Sequence, residues 1–204
     1  MRNDIYTLAH EIKNPLCVVK GYLEMINETN LSKYKEIINN QVNDSLSVLN
    51  DYLEYNRISL NKEEIDLNLL LEDIKSDLMD FLKNKNVLLN IYLLDDDVYL
   101  QADYNKLKQV FNNIIKNSVE SLSKNIEISY RIMFGKITIR IKNDGQELDD
   151  NLIYKLGNYF TTKEDGHGIG TSIIKKVISL HNGKIKYRNN KNKGVSVYIT
   201  LSLS

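Results

Sequence analysis

The spacing of apolar residues changes near residue 60, and this change divides the chain into two parts. Before it, apolar side chains recur at intervals of three or four from Ile5 to Ile26 and again from Ile38 to Leu53. This spacing predicts two helices with one apolar face each, joined at the Asn-rich segment 27–30. Because a pair of helices is too thin to bury both faces, we expect two copies to form a four-helix bundle.

The second part begins after the polar stretch 59–66 and mixes helical and strand patterns. The pair Phe134-Gly135 predicts a hairpin between two strands. We predict an α+β fold, with a helical hairpin over 1–59 and an α/β sandwich over 60–204 that has helices on one face of a sheet. Helical spacing covers 68–83, 104–122 and 169–181, and strand patterns cover 87–94, 98–101, 126–133, 136–142, 184–188 and 195–202.

The balance of charge restricts the partners. The chain has 27 Lys and Arg residues against 27 Asp and Glu residues, for a formal net charge of zero. A nucleic-acid binder needs a basic stripe, so neutrality argues against that class unless a very local basic patch exists. No apolar run approaches the ~20 residues of a membrane span and the N-terminus has no signal-peptide core. We therefore expect a cytoplasmic location and no membrane span in this chain.

His10 and Pro15 are the unusual residues of the first predicted helix. His10 falls farthest from the apolar stripe and is expected to face solvent. There, an imidazole next to Glu11 is a candidate nucleophile with a carboxylate to orient it or take its proton. An ordinary surface histidine is the alternative. Pro15 is the one proline in the chain, and its cost of roughly 3 kcal/mol in a helix interior leads us to expect a local kink beside His10.

Two further features suggest phosphate chemistry. Asn113 and Asn117 lie four apart in the predicted helix 104–122, so their amides share a face that suits a hydrated divalent cation bound to phosphate oxygens. Exposed asparagines without a ligand are the alternative. The glycine-rich segment 166–170 opens the predicted helix 169–181, where backbone N–H groups and the helix dipole favour phosphate.

Taken in order, these motifs resemble those of the sensor histidine kinase family over essentially the whole chain. The segment LAHEIKNPL at 8–16 resembles the H-box, QVFNNIIKNSVES at 109–121 the N-box, FTTK at 160–163 the F-box, and GHGIG at 166–170 the second glycine box. The resemblance implies a dimeric four-helix bundle followed by a Bergerat-type ATP-binding domain. It also implies an ATP-dependent protein-histidine kinase whose partner is a response-regulator receiver domain.

The resemblance further implies roles for single residues. His10 would attack the γ-phosphate of ATP, Glu11 would orient or deprotonate the imidazole, and Asn14 would position water for dephosphorylation of the partner. Asn117 would bind Mg²⁺. The residues implied to bind ATP at its phosphates, lid and base are Asn113, Lys116, Asn117, Asn143, Gly145, Phe160, Thr161, Thr162, Lys163, Gly166, Gly168 and Gly170.

Two departures from the family pattern predict a weak ATP site. Asn143 stands where the family has an aspartate that accepts a hydrogen bond from the adenine amino group, and an amide oxygen accepts that bond without a charge. Glu147 replaces a glycine. Both changes favour the alternative of a phosphorelay phosphotransferase or scaffold with degenerate ATP binding. Asn113 stands where hydrolytic proteins of the same fold have a water-activating glutamate, which favours phosphoryl transfer over hydrolysis.

The amino-acid sequence of the H-box gives a narrower expectation about the type of kinase. It resembles the kinases of sporulating Gram-positive bacteria, which suggests phosphorelay control. Only nine residues precede His10, and two interpretations of this remain open. The chain is either a complete soluble kinase that receives its signal by protein contact, or the catalytic core of a longer protein.

Overall fold

The computed structural model describes residues 2–94, 96–149, 153 and 169–203. They divide into two units. The first contains the residues up to Ile58 together with the described residues 169–172, and the second contains 59–149, 153 and 173–203. Within these ranges, no helix combines the length and the apolar character needed to cross a membrane. The α+β fold class predicted from the sequence is confirmed.

The first unit is a hairpin of the helices α1 (Arg2–Met25) and α2 (Leu31–Arg57). Asparagines build its turn: Oδ1 of Asn27 accepts hydrogen bonds from the backbone N–H groups of Thr29 (3.0 Å) and Asn30 (3.2 Å). Such side-chain turns are why asparagine interrupts a helix. Helix α1 is uninterrupted at Pro15, although a proline there leaves the carbonyl of Glu11 without its usual helical donor.

The two helices of the hairpin share a small interior. The rings of Tyr22 and Tyr34 pack with their centroids 4.8 Å apart, and Ser45 and Val48 are buried. A stripe of large apolar side chains on α2 remains exposed in the single chain. We call it the α2 stripe, and it consists of Val42, Leu46, Leu49 and Leu53.

The second unit contains two sheets and the helices that pack on them. The larger sheet has five strands in the order β2-β4-β5-β7-β6, in which β2 and β4 are parallel and the other neighbours antiparallel. Strands β1 and β3 form an antiparallel pair of their own. The elements are β1 (Glu63–Asp66), α3 (Leu67–Asn84), β2 (Leu88–Tyr92), β3 (Tyr99–Ala102), α4 (Tyr104–Glu120), β4 (Asn125–Met133), β5 (Lys136–Asn143), α5 (Ile169–Leu180), β6 (Lys184–Asn189) and β7 (Val195–Ser202).

Alternation along the strands places the core on one face of the larger sheet. In β5, Ile137, Ile139 and Ile141 are fully buried, whereas the residues between them are not. Successive side chains of a strand point to opposite faces, so one face packs under the helices and the other is left to solvent. The predicted sheet with helices on one face is therefore confirmed, as is the hairpin at Phe134-Gly135.

Strand β1 corrects the sequence prediction, which took 59–66 as a polar stretch between the two parts. Ile65 lies opposite Leu100 of β3, and both side chains are buried. Asp66 then caps α3, because its Oδ1 accepts the backbone N–H of Asn68 at 2.8 Å. A strand with one buried apolar residue carries too little periodicity to be recognised in a sequence.

A buried histidine fixes the start of α4. Nε2 of His181 accepts the backbone N–H of Asp103 at 2.9 Å, and its Nδ1 lies 2.8 Å from the carbonyl oxygen of Val177. Burial is the main cause that lowers the pKa of His181, and a neutral ring satisfies both contacts. The side chain of Asp103 in turn accepts the backbone N–H groups of Lys106 (3.0 Å) and Asn61 (2.8 Å). This network sets the position of α4, which carries Asn113, Lys116 and Asn117 of the predicted site.

Candidate functional site

His10 is exposed on α1, as its position farthest from the apolar stripe predicts. Asn14 is also exposed, and four residues of helix place it on the same face as His10. Glu11 lies in α1 between them in sequence, and its side chain is outside the described residues. The predicted nucleophile is therefore accessible to a reaction partner.

Helix α4 carries the second group of predicted site residues. Asn113 and Asn117 are half-buried and lie on one face of the helix, and Lys116 is exposed. Ser118 is buried next to them, with its hydroxyl donating to the carbonyl oxygen of Ile114 at 2.9 Å. The polar face of α4 thus borders directly on a buried hydroxyl that the sequence interpretation missed.

The side chain of Asn143 is buried at the end of β5 and is held from three sides. Its Oδ1 accepts the backbone N–H groups of Gly145 (3.1 Å) and Val195 (3.1 Å). Its Nδ2 donates to Oγ of Ser118 at 3.1 Å. Because two backbone donors point at one atom, that atom has to be the oxygen, and the orientation of the amide is determined.

The expected role of the Asn143 oxygen is to accept a hydrogen bond from adenine, and these contacts compete with that role. Both of its lone pairs are used by backbone N–H groups, so it has no place left for an adenine amino group. Within the described part of the chain, the hydrogen-bonding group of Asn143 that remains unused is the second hydrogen of Nδ2. The residue lies where the sequence predicts a ligand contact, but it presents a donor there.

The turn after β5 is held by its own contacts. The carboxylate of Asp144 accepts the backbone N–H groups of Lys124 (2.8 Å) and Asn125 (3.0 Å) and the side-chain amide of Asn125 (2.7 Å). Burial alone would raise the pKa of Asp144, but these hydrogen bonds outweigh it and the pKa is lowered. Asp144 therefore has a structural role in this turn that the sequence interpretation missed.

Two glycines allow the close packing around Asn143. A Cβ on Gly145 would lie 2.4 Å from Oγ and 2.5 Å from the carbonyl oxygen of Ser121. A Cβ on Gly194 would lie 2.1 Å from the carbonyl oxygen of Asn143, and φ at Gly194 is +83°. The contacts of Asn143 with α4 and β7 thus depend on the absence of side chains at both positions.

The structure describes only some of the predicted ATP-binding residues. Phe160, Thr161, Thr162, Lys163, Gly166 and Gly168 lie outside the described residues. Gly170 lies in the first turn of α5. The structure therefore brings together Asn143, Gly145 and the C-terminal half of α4, which is one part of the predicted site.

Comparisons with known proteins decide the family. Residues 3–61 match the His Kinase A (phospho-acceptor) domain, and residues 102–204 match the family described as histidine kinase-, DNA gyrase B-, and HSP90-like ATPase. The chain belongs to the sensor histidine kinases. The first match contains His10 and Asn14, and the second contains α4, Asn143 and both glycines.

Two similar proteins are sporulation kinases, which agrees with the family assignment. Sporulation kinase B of Bacillus subtilis (strain 168) is 29% identical over 206 residues, which is 96% of this chain and 48% of that protein. Sporulation kinase A of the same organism is 29% identical over 95% of this chain and 33% of its own length. The chain therefore spans half or less of these two histidine kinase relatives.

A solved histidine kinase structure matches nearly the whole chain. The histidine kinase ThkA in complex with the response regulator protein TrrA is 26% identical, with a TM-score of 0.78 over 96% of this chain and 60% of that chain. The histidine kinase AdeS of Acinetobacter baumannii has the same fold, with a TM-score of 0.71 at 19% identity over 96% of this chain and 98% of that chain. The fold described above is thus that of histidine kinases.

Proposed function

We propose that this chain is a two-component protein-histidine kinase that phosphorylates itself on His10 with ATP and passes the phosphoryl group to an aspartate of a response regulator. The observation that carries the proposal is the exposed His10 of a phospho-acceptor unit in the same chain as an ATPase-family unit. The relative ThkA, solved with a response regulator, supports the choice of partner.

The proposed reaction has two transfers. A ring nitrogen of His10 attacks the γ-phosphorus, a P–N bond forms, and the P–O bond to the departing ADP breaks with its electron pair. Glu11 takes the proton that the imidazole loses. In the second transfer an aspartate oxygen of the response regulator attacks phosphorus, and the P–N bond breaks with its electron pair returning to His10. Asn14, on the same face, positions water when the partner is dephosphorylated.

Residues of the second unit would hold the nucleotide and its metal ion. The described residues contain no cluster of three or more His, Cys, Asp and Glu side chains that would bind a metal without help. Mg²⁺ in such sites uses one or two protein oxygens together with substrate phosphates and water, and the half-buried amide of Asn117 fits this. When bound, Mg²⁺ neutralises phosphate charge. Asn113 and Lys116 would contact the phosphates, Asn143 and Gly145 would contact the base, and the segment 160–170 would cover the triphosphate.

The alternative is a phosphorelay phosphotransferase or scaffold with degenerate ATP binding. The specific observation in its favour is that the oxygen of Asn143 is fully used by Gly145 and Val195. Incubation with Mg²⁺ and γ-labelled ATP distinguishes the two. A kinase takes up label from ATP, whereas a phosphotransferase takes it up only from a phosphorylated receiver domain.

Replacing Asn143 by Asp is expected to tighten ATP binding. One carboxylate oxygen keeps the two backbone donors. The other accepts the Ser118 hydroxyl, which turns away from the Ile114 carbonyl, and has a second lone pair for the adenine amino group. A charge-assisted hydrogen bond to the adenine amino group, which the Nδ2 donor of Asn143 cannot make, predicts a dissociation constant about tenfold lower. Isothermal titration with ATP measures it. Asn90→Asp, the same change at an exposed position of β2, is the control, and unchanged or weaker binding in Asn143→Asp would show that this residue is not the base contact.

We propose that two copies of the chain pack on the α2 stripe to form the four-helix bundle. Its four large side chains are exposed in the single chain, and burial of such a face is favourable by roughly 1.5–3 kcal/mol for each fully buried side chain. Leu46→Glu with Leu49→Glu is expected to halve the mass measured by light scattering at micromolar concentration. Leu69→Glu, at an exposed leucine of α3, is expected to leave the mass unchanged. A wild-type chain of monomeric mass would contradict the proposal.

Three broader assignments belong to the same proposal. Residues 1–59 serve dimerisation and phosphotransfer, and residues 60–204 bind ATP. The location is cytoplasmic. Control of sporulation through a phosphorelay rests on the names of the Bacillus relatives.

A further inference from the structure

The open face of the larger sheet, opposite the buried core, is strongly basic. Strand register arranges it in rows that cross the sheet, and directly opposite residues share a face. From the β4–β5 turn inwards the rows are Met133–Lys136–Ser202, Arg131–Thr138–Thr200–Lys184, Ser129–Arg140–Tyr198–Lys186 and Glu127–Lys142–Ser196–Arg188. We call this the basic face. It holds Arg131, Lys136, Arg140, Lys142, Lys184, Lys186 and Arg188 against the one acid Glu127.

Most of this positive charge is not neutralised within the described ranges. The ion pair found on the basic face joins Nζ of Lys142 to Oε2 of Glu127 at 3.1 Å. Lys184, Lys186 and Arg188 are exposed on the edge strand β6. Since the chain as a whole is neutral, this surplus is a local property of one surface, and it calls for an anionic partner.

An apolar tip projects from the end of the basic face. Ile132, Met133 and Phe134 follow one another at the β4–β5 turn with 41%, 52% and 95% of their surfaces exposed. Isolated exposed apolar residues are common, but runs of three or more large ones on a surface indicate an interaction. Met133 belongs to the first row of the basic face, opposite Lys136.

The backbone conformation at the tip also indicates that Phe134 serves an interaction. Phe134 has φ +52° and Gly135 has φ +67°, the arrangement of a two-residue hairpin loop that favours Asn-Gly or Asp-Gly. A bulky side chain at positive φ is uncommon and costs conformational energy. Phenylalanine therefore stands at a position where a small polar residue would serve the fold better.

We propose that the basic face and its tip dock on an anionic lipid surface, with Phe134 and Met133 inserted at the boundary of headgroups and acyl chains. Apolar side chains next to several lysines and arginines are the combination by which peripheral proteins bind anionic bilayers. Phe134 can stack on a nucleic-acid base, but Ile132 and Met133 cannot, and three adjacent exposed apolar side chains suit the boundary of headgroups and acyl chains better than a polynucleotide. This contact is separate from phosphoryl transfer and uses none of the residues assigned to it.

The test is co-sedimentation of the full chain with vesicles. Vesicles of phosphatidylcholine and phosphatidylglycerol in equal parts are compared with vesicles of phosphatidylcholine alone. We expect binding to the anionic vesicles only, weakened about tenfold by Phe134→Asp and about tenfold by Lys184→Glu with Lys186→Glu. Circular dichroism checks the fold of each variant. If the double charge reversal unfolds the chain, Lys184→Gln with Lys186→Gln replaces it.

Matched controls separate insertion and local charge from general effects. Leu122→Asp changes another exposed residue at positive φ, but Leu122 is isolated between two serines. Lys75→Glu with Lys83→Glu changes the same net charge on α3. Both controls are expected to bind like the wild type.

Three results would overturn the proposal. The first is no sedimentation with anionic vesicles. The second is a Phe134→Asp variant that binds as Leu122→Asp does. The third is full competition by single-stranded DNA or poly-glutamate that Phe134→Asp does not affect, which would assign the face to a polynucleotide or an acidic protein.

Discussion

Replacing His10 by Gln is expected to abolish the phosphoryl label that the chain acquires from Mg²⁺ and γ-labelled ATP. The P–N bond of phosphohistidine is labile in acid and stable in alkali, so the label of the wild type should show that pattern. Glutamine keeps a polar side chain on an exposed turn of α1 but has no ring nitrogen that can attack phosphorus. The expected loss is complete, because the amide nitrogen of glutamine is not nucleophilic.

Lys13→Gln is the matched control for this result. Lys13 is exposed on the same helix, and we assign it no part in the reaction. Light scattering and circular dichroism should report the same mass and helix content for wild type, His10→Gln and Lys13→Gln. Label that persists in His10→Gln, or label that is stable in acid, would rule out His10 as the acceptor. Absence of label in the wild type, with uptake from a phosphorylated receiver, would favour the phosphotransferase.

Of the substitutions proposed for this chain, Gly194→Ala is expected to cause the largest loss of stability. The alanine Cβ would lie 2.1 Å from the carbonyl oxygen of Asn143 and 2.7 Å from its carbonyl carbon, and φ is +83°. The left-handed backbone costs an L-residue about 1–2 kcal/mol, and overpacking adds about 1–3 kcal/mol. We expect the free energy of unfolding in urea to fall by the sum, and ATP binding to fall with it because Asn143 has to move.

Gly135→Ala is a close control for this substitution. Gly135 also has a positive φ, +67°, but no atom lies within 4 Å of the position a Cβ would take. Alanine there is expected to lower the free energy of unfolding only by the cost of the left-handed backbone, about 1–2 kcal/mol. Equal losses of stability in the two variants would mean that the close approach at Asn143 contributes nothing.

The sequence was sufficient for most elements of the fold. Helical spacing and strand alternation are local properties, so the predicted segments 68–83 and 136–142 agree with α3 and β5 to within a residue at each end. Strand β1 was missed because its stability comes from pairing with β3, more than thirty residues away. The turn at 27–30 was recognisable because asparagine side chains hydrogen-bond to nearby backbone groups and so interrupt helices.

The family resemblance predicts which residues form the site, whereas the contacts of each residue depend on the tertiary structure. The resemblance implies that Asn143, Gly145 and residues of α4 belong to one ATP site, and the structure joins Asn143 to α4 through Ser118. The motif did not reveal which end of the Asn143 amide is free. That depends on the backbone N–H of Val195, which lies 52 residues further along the chain.

The sequence by itself determined the family, the order of helices and strands, and the exposed position of His10, because motif spacing and hydrophobic period are carried by neighbouring residues. Only the tertiary structure decided that Asn143 presents a donor, since its partners come from α4 and β7. The basic face likewise appears only when strand register aligns residues from β4, β5 and β6 in common rows. A net charge of zero describes the chain's total, whereas the arrangement of its charges is set by contacts between distant segments.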